Sequence, residues 1–214
     1  MKPWKRILIS VFALTLASGC QTTTGRYVTL MYESLTHEAQ SVSRDAAAGI
    51  PFATIGLQVR GSDQVLLILA TNENDVLEWD SPRLTVKTRQ GRVIQTAGFP
   101  FNLNSAVVNH GNYLPAIGRP YQIVMDFQDL NLFGAVAECT TVDDGAADLS
   151  ILGARIVSRH LVENCEIASV GWSFKNEYWV DTEAHFVWRS IQYVYPRSPP
   201  LTIEVLRPPL SATG

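Results

Sequence analysis

The sequence predicts a mainly β protein: an antiparallel barrel, half-barrel or sandwich with one N-terminal amphipathic helix packed on the sheet. Three observations carry this. From Phe52 onward the chain is a succession of short β-like runs set apart by Gly, Pro, Asn and Asp at spacings of about 8–12 residues. The connections are short, which places consecutive strands side by side and antiparallel. The composition, 46% hydrophobic with five tryptophans in 214 residues, supports a sizeable core and is not that of a disordered chain.

The chain begins with a secretory signal over residues 1–19. Lys2, Lys5 and Arg6 form a basic start, Ile7–Leu16 an apolar run, and Ala17-Ser18-Gly19 a small-residue cleavage site. The apolar run is too short for a spanning helix, which takes about 20 residues. Cys20 follows directly. The arrangement resembles the lipobox of bacterial lipoproteins, with Ala17 where Leu is commonest. It implies acylation of Cys20 and lasting membrane attachment through several acyl chains. The alternative is an ordinary cleaved signal followed by a chance cysteine. Gln21, in place of the Asp that tends to retain Gram-negative lipoproteins in the inner membrane, implies an outer-membrane address. The periplasmic face is the expected side.

Removing residues 1–19 removes three basic residues, so the formal charge moves from −3 to −6. A mildly acidic chain without a Lys/Arg cluster is a poor candidate for nucleic acid. Residues 20–26 read as a polar tether, and 27–210 as a single β-rich domain. Within it Val28, Met31, Leu35, Ala39 and Val42 recur at steps of three and four, which predicts an amphipathic helix over Tyr27–Ala48, ended by Gly49 and Pro51. Its expected role is to cover one face of the sheet; a surface helix for a partner is the alternative.

Strands follow. Phe52–Arg60 turns through Gly61-Ser62-Asp63 into Gln64–Thr71, and Asn72-Glu73-Asn74-Asp75 leads to Val76–Trp79. Ser81-Pro82 precedes Arg83–Thr88, where Leu84, Val86 and Thr88 alternate with Thr85, Lys87 and Arg89, the pattern of a sheet with one wet face. Gln90-Gly91 turns into Arg92–Ala97. Gly98–Pro120, rich in Pro, Gly and Asn, is predicted as a long loop or a loop carrying a short helix; it is either functional or a plain connection. Tyr121–Gln128 and Leu132–Thr141 precede a turn-rich Asp143–Asp148. Arg155–Glu163, Glu166–Trp172, the hairpin Asn176–Val180 with Phe186–Val194, and Leu201–Leu206 complete the set.

No catalytic signature is present: no Gly-x-Ser-x-Gly, no His-Glu-x-x-His and no phosphate loop. Asp143 and Asp144 read as solvated turn carboxylates more readily than as an acid/base or Ca²⁺ pair. Four scattered histidines and the absence of Cys-x-x-Cys argue against a metal site, and no cofactor is expected. Cys139 and Cys165 either pair in an oxidising compartment or remain two separate buried thiols.

The densest feature is aromatic. Trp172, Phe174, Tyr178, Trp179, Phe186, Trp188 and Tyr193 fall on neighbouring strands. By alternation Tyr178 and Val180 share one face and Trp179 points to the other. Trp172, Tyr178, Trp179, Trp188 and Arg189 are the candidate surface for glycan or partner, because ring faces stack on the apolar faces of sugars. The competing reading puts most of these rings in the core. Arg189 is placed to pair with Glu177 or Asp181, or to hold an acidic glycan.

At these residues the chain resembles a known family. Gly171-Trp172-x-Phe174-x-Asn176-x-Tyr178-Trp179-Val180-Asp181, Phe186-Val187-Trp188-Arg189-Ser190, Pro200-Leu201-x-Ile203-Glu204-Val205-Leu206-Arg207-Pro208-Pro209 and Arg92-Val93-Ile94-x-Thr96-Ala97-Gly98 are similar to the YjbF/GfcB lipoproteins of group 4 capsule and exopolysaccharide operons. The resemblance implies an envelope lipoprotein needed for making or exporting a surface polysaccharide; the favoured expectation is a non-enzymatic accessory factor with polysaccharide or other secretion proteins as partners. It brings no catalytic residue. A carrier or sensor of lipid-linked material with an apolar groove is the alternative, and a glycan-modifying enzyme a more distant one.

Overall fold

Alternating side chains on short strands must bury one phase and wet the other, and a long run of antiparallel strands meets that demand by curling on itself. The structure, a computed structural model, describes residues 40–109, 112–181, 183 and 186–209. The signal, Cys20, the tether and the predicted helix as far as residue 39 lie outside the described residues. From Gln40 to Pro51 the expected amphipathic helix reduces to one turn, α1 (Arg44–Ala48), capped by the Ser43 hydroxyl, which accepts from Ala46 N.

Twelve strands make one antiparallel sheet among the described residues: β1 (Thr54–Val59), β2 (Val65–Glu73), β3 (Val76–Asp80), β4 (Thr85–Arg89), β5 (Arg92–Ala97), β6 (Ser105–Val108), β7 (Tyr121–Phe127), β8 (Leu132–Ile151), β9 (Ala154–Ile167), β10 (Trp172–Asp181), β11 (Phe186–Gln192) and β12 (Leu201–Arg207). Their spatial order is β5-β4-β3-β2-β1-β12-β11-β10-β9-β8-β7-β6. The two ends of the sheet meet where Thr96 N donates to Leu103 O at 2.9 Å and Leu103 N donates to Thr96 Oγ1, so the sheet is a nearly closed barrel. Of the predicted architectures, the barrel is the one observed.

Tight turns set the registers. Asn74-Asp75, Gln90-Gly91 and Leu152-Gly153 all take positive φ at both residues, the conformation that matches the twist of two-residue hairpins. Gly91 is required for a second reason: a Cβ there would lie 2.4 Å from Val187 Cβ, since this turn is pressed against β11.

Three segments differ from the sequence prediction. The Gly98–Pro120 stretch carries a strand, β6, and no helix among its described residues. Asp143–Asp148 is not a turn: β8 runs straight through it with a bulge between Asp143 and Gly145, because β9 supplies a partner along its length and Arg159 and Arg155 pair with Asp143 and Asp148. The predicted strand Glu166–Trp172 is broken by a 3-10 turn over Ala168–Val170, closed by Gly171 at φ 60°.

The β8–β9 hairpin is longer than the wall. Beyond the bulge, Leu149, Ile151 and Ser158 are buried on the phase that faces outward at His160. The arm reaches β12, and Arg44 donates to Leu152 O at its tip. It therefore folds back over the outer face on the side of His160.

Candidate functional site

Inside the barrel, the inward phase of β9 reads Leu161, Glu163, Cys165, Ile167, with Glu163 the one charge in an apolar row. Glu163 accepts from Arg92 Nη1 at 3.0 Å and Nη2 at 2.5 Å, from Asn176 Nδ2 at 2.7 Å, and from the Tyr121 hydroxyl. Arg92 Nε donates to Tyr113 O at 3.1 Å, and Tyr178 reaches both Glu163 and Gln192. Burial alone would push the Glu163 carboxyl up, but the Arg92 guanidinium and the hydrogen bonds of Arg92, Tyr121 and Asn176 hold it below the ordinary carboxylate range. Burial and the Glu163 charge push the Tyr121 hydroxyl up; burial does the same to Tyr178. Gln192 ties β5 to β11: its Oε1 accepts from Val93 N and its Nε2 donates to Gly91 O, each at 2.9 Å.

Next to this network Cys139 and Cys165 form a disulfide between directly opposed residues of β8 and β9, with Cα atoms 4.2 Å apart. Their sulfurs lie near Glu163, but bonded to each other they are not thiolate ligands for a metal.

The outer face of the same strands is ordered in rows. In one, His160 opposes Trp179, Trp179 opposes Arg189, Arg189 opposes Glu204, and Glu204 opposes Gly56. His160 and Trp179 rings stack at 4.5 Å, and the Arg189 guanidinium lies 5.7 Å from the Trp179 ring centre. Arg189 Nε donates to Glu204 Oε1 at 2.6 Å, and Gln64 lies over Gly56 and donates to Glu204. His160 sits between Asp144 and Glu177, 3.0 Å from each. A second row joins Glu177, Ile191, Thr202 and Gln58.

Along the second row, extending to Lys175, Tyr193 and Arg60, runs an open groove of about 570 Å³ with walls part polar and part apolar. Lys175 pairs with Glu177 at 2.7 Å. Arg60 is exposed and makes no ion pair or hydrogen bond among the described residues. The groove crosses β10, β11, β12 and β1, a span of about 14 Å at the usual strand spacing. It has a ring, two cations, a carboxylate and amide or hydroxyl groups on one shallow surface. A separate apolar pocket of about 120 Å³ lies inside, between Trp79, Leu77, Phe186, Val187 and Val205.

The predicted surface residues are thus divided. Trp179 and Arg189 share the outer face, half-buried. Arg189 pairs with Glu204, while the predicted partner Glu177 is held by Lys175 and His160. Tyr178 is fully buried in the polar network and leaves the candidate surface, because alternation turns it inward beside Asn176. Trp172 stacks on Phe174 at 4.2 Å at one end of the barrel. Trp188 is the extra residue of a bulge in β11, edge-on to Phe186 at 4.9 Å, with its Nε1 buried and unpartnered among the described residues. Sequence reading missed Arg60, which carries no motif, and named Tyr193 among the aromatic rows without placing it on the candidate surface. It also missed Arg92 and Glu163, although a glutamate in the apolar phase of a strand is a readable signal.

A family model described as group 4 capsule polysaccharide lipoprotein gfcB, YjbF, matches residues 24–206. Among solved structures, the crystal structure of the hypothetical lipoprotein YmcC from Escherichia coli (K12) matches with a TM-score of 0.70 and 19% identity, covering 89% of this chain and 98% of that one. At that identity the likeness is one of fold. No curated protein matches the chain. The family match spans all twelve strands but for the last residue of β12, and the chain belongs to the YjbF family of group 4 capsule polysaccharide lipoproteins.

Proposed function

We propose that this chain is a non-enzymatic accessory factor in capsule or exopolysaccharide assembly or export. In this reading acylated Cys20 tethers it to the periplasmic face of the outer membrane, where it holds glycan and works beside other secretion proteins. The observation that carries the reading is the open groove over β10, β11, β12 and β1, where Tyr193 offers a ring face and Arg60, Lys175, Thr202 and Gln58 offer polar groups. Sugars present the same mixture of apolar faces and hydroxyls. The non-enzymatic part is supported by Glu177, the carboxylate that lines the groove, whose two oxygens are taken by Lys175 and His160. The interior pocket of about 120 Å³ does not favour a lipid carrier, since a cavity of about 150 Å³ holds a single benzene.

The test is calorimetric titration of the mature protein with surface polysaccharide from the producing strain, together with deletion of the gene. Binding that weakens in Tyr193→Ala, with polysaccharide accumulating in the periplasm of the deletion strain, is expected. Altered glycan structure at unchanged export would overturn the reading.

A further inference from the structure

The end of the barrel that carries the β1–β2, β7–β8 and β9–β10 turns has an apolar rim. Phe101 is 53% exposed, Leu130 46%, Phe133 63% and Val170 45%; Phe101, Leu130 and Val170 come from the β5–β6, β7–β8 and β9–β10 connections, and Phe133 from the start of β8. Phe101 is the outer end of a continuous ring cluster. Phe101 stacks on Tyr195 at 5.1 Å, Tyr195 meets Phe127 edge-on at 5.5 Å, and Phe127 meets Trp172 at 6.0 Å. Exposed apolar clusters of this kind mark contact with something apolar.

The described chain also starts at this end. Gln40 N donates to Asp63 Oδ1, and Gln64 N donates to Gln40 O, both at 2.9 Å, beside the β1–β2 turn. Gly61 of that turn and Ser173 at the start of β10 border the same groove, one residue from Trp172. The stretch that leads back from Gln40 to Cys20 is twenty residues long. A lipid at Cys20 is thus connected to the barrel at its apolar end.

We infer that this rim is a membrane-contact surface: Phe101, Leu130, Phe133 and Val170 dip into the lipid interface and stand the barrel on end. Apolar tips backed by Tyr and Trp suit that interface, and a second apolar contact converts a flexible tether into a defined orientation. The groove then opens beside the membrane surface. The inference rests on the anchoring of Cys20 proposed above.

The experiment uses full-length mature protein purified from membranes, with acylation of Cys20 established by mass spectrometry, so that a failure of anchoring is seen separately. An environment-sensitive fluorophore is attached at Val170→Cys on the rim or at Glu183→Cys in the exposed hairpin at the opposite end. The proteins are reconstituted in vesicles of phosphatidylethanolamine and phosphatidylglycerol containing brominated acyl chains. The Val170 probe is expected to shift to the blue and be quenched several-fold more than the Glu183 probe. Phe101→Asp with Phe133→Asp should abolish the difference while circular dichroism stays unchanged. Equal quenching at both positions, or a solvent-like Val170 probe in acylated protein, overturns the inference. So does shielding of the rim only when other envelope proteins are present, which would assign it to a protein partner.

Discussion

Arg92 on β5 and Glu163 on β9 face each other inside the barrel, joined by two hydrogen bonds, with only 3% and 0% of their side chains exposed. The pair bridges strands four places apart in chain order and eight places apart along the sheet, so it ties the closing edge of the barrel to a distant strand across the interior. Breaking such a pair leaves one charge buried without a partner, at a cost of about 3–5 kcal/mol.

The pH dependence of that cost has a definite sign. The Glu163 carboxyl is held below its ordinary value of 4.5, so its contribution is full above that value and is lost as pH falls through the folded value. Urea unfolding of the wild type should therefore show stability declining below about pH 4.5, and Glu163→Gln should flatten that decline. In Arg92→Leu, burial dominates and the carboxyl is pushed up. That variant should be more stable in mild acid than at neutral pH, the reverse of the wild type.

Reduction of Cys139–Cys165 releases a cross-link between residues separated by 26 positions. Chain-entropy arguments place its contribution at about 3.5 kcal/mol. Differential scanning calorimetry of Cys139→Ala with Cys165→Ala should show Tm lowered by about 10 °C, with the far-ultraviolet spectrum of the folded state preserved.

Gly91→Ala places a methyl group at φ 80° and 2.4 Å from Val187 Cβ. Left-handed strain and overpacking together should lower stability by about 3 kcal/mol in denaturant titrations. Gly118, also at positive φ but with no neighbour within 4 Å, should tolerate alanine better; near-equal losses at the two positions would contradict the account.

Arg60→Ala and Arg189→Ala separate the groove from the neighbouring row. Arg60 has no partner among the described residues, so its loss should leave Tm unchanged and weaken glycan binding about tenfold, equivalent to about 1.4 kcal/mol. Arg189 pairs with Glu204 under partial exposure, so its loss should lower stability by about 1 kcal/mol and leave affinity nearly intact. Calorimetric titration checks both.

Much of this architecture is legible in the order of the residues. Alternation placed most strands within a few residues, because a half-buried strand must repeat every second residue. It also separated Tyr178 from Trp179. The Asp143–Asp148 segment misled because acidic and glycine residues favour turns only when no partner strand competes; here β9 supplies one, and two arginines with it.

Local chemistry along the chain was enough for the β class, the antiparallel neighbours and the family, since each depends on residues adjacent in sequence or across a short turn. Folding in three dimensions chose what is distant in sequence: Arg92 for Glu163 across 71 positions, Glu204 for Arg189 in place of Glu177, and the meeting of Arg60 with Lys175 along one groove. Closure of the barrel and the bulges in its strands set those meetings, and neither leaves a periodic trace in the order of residues.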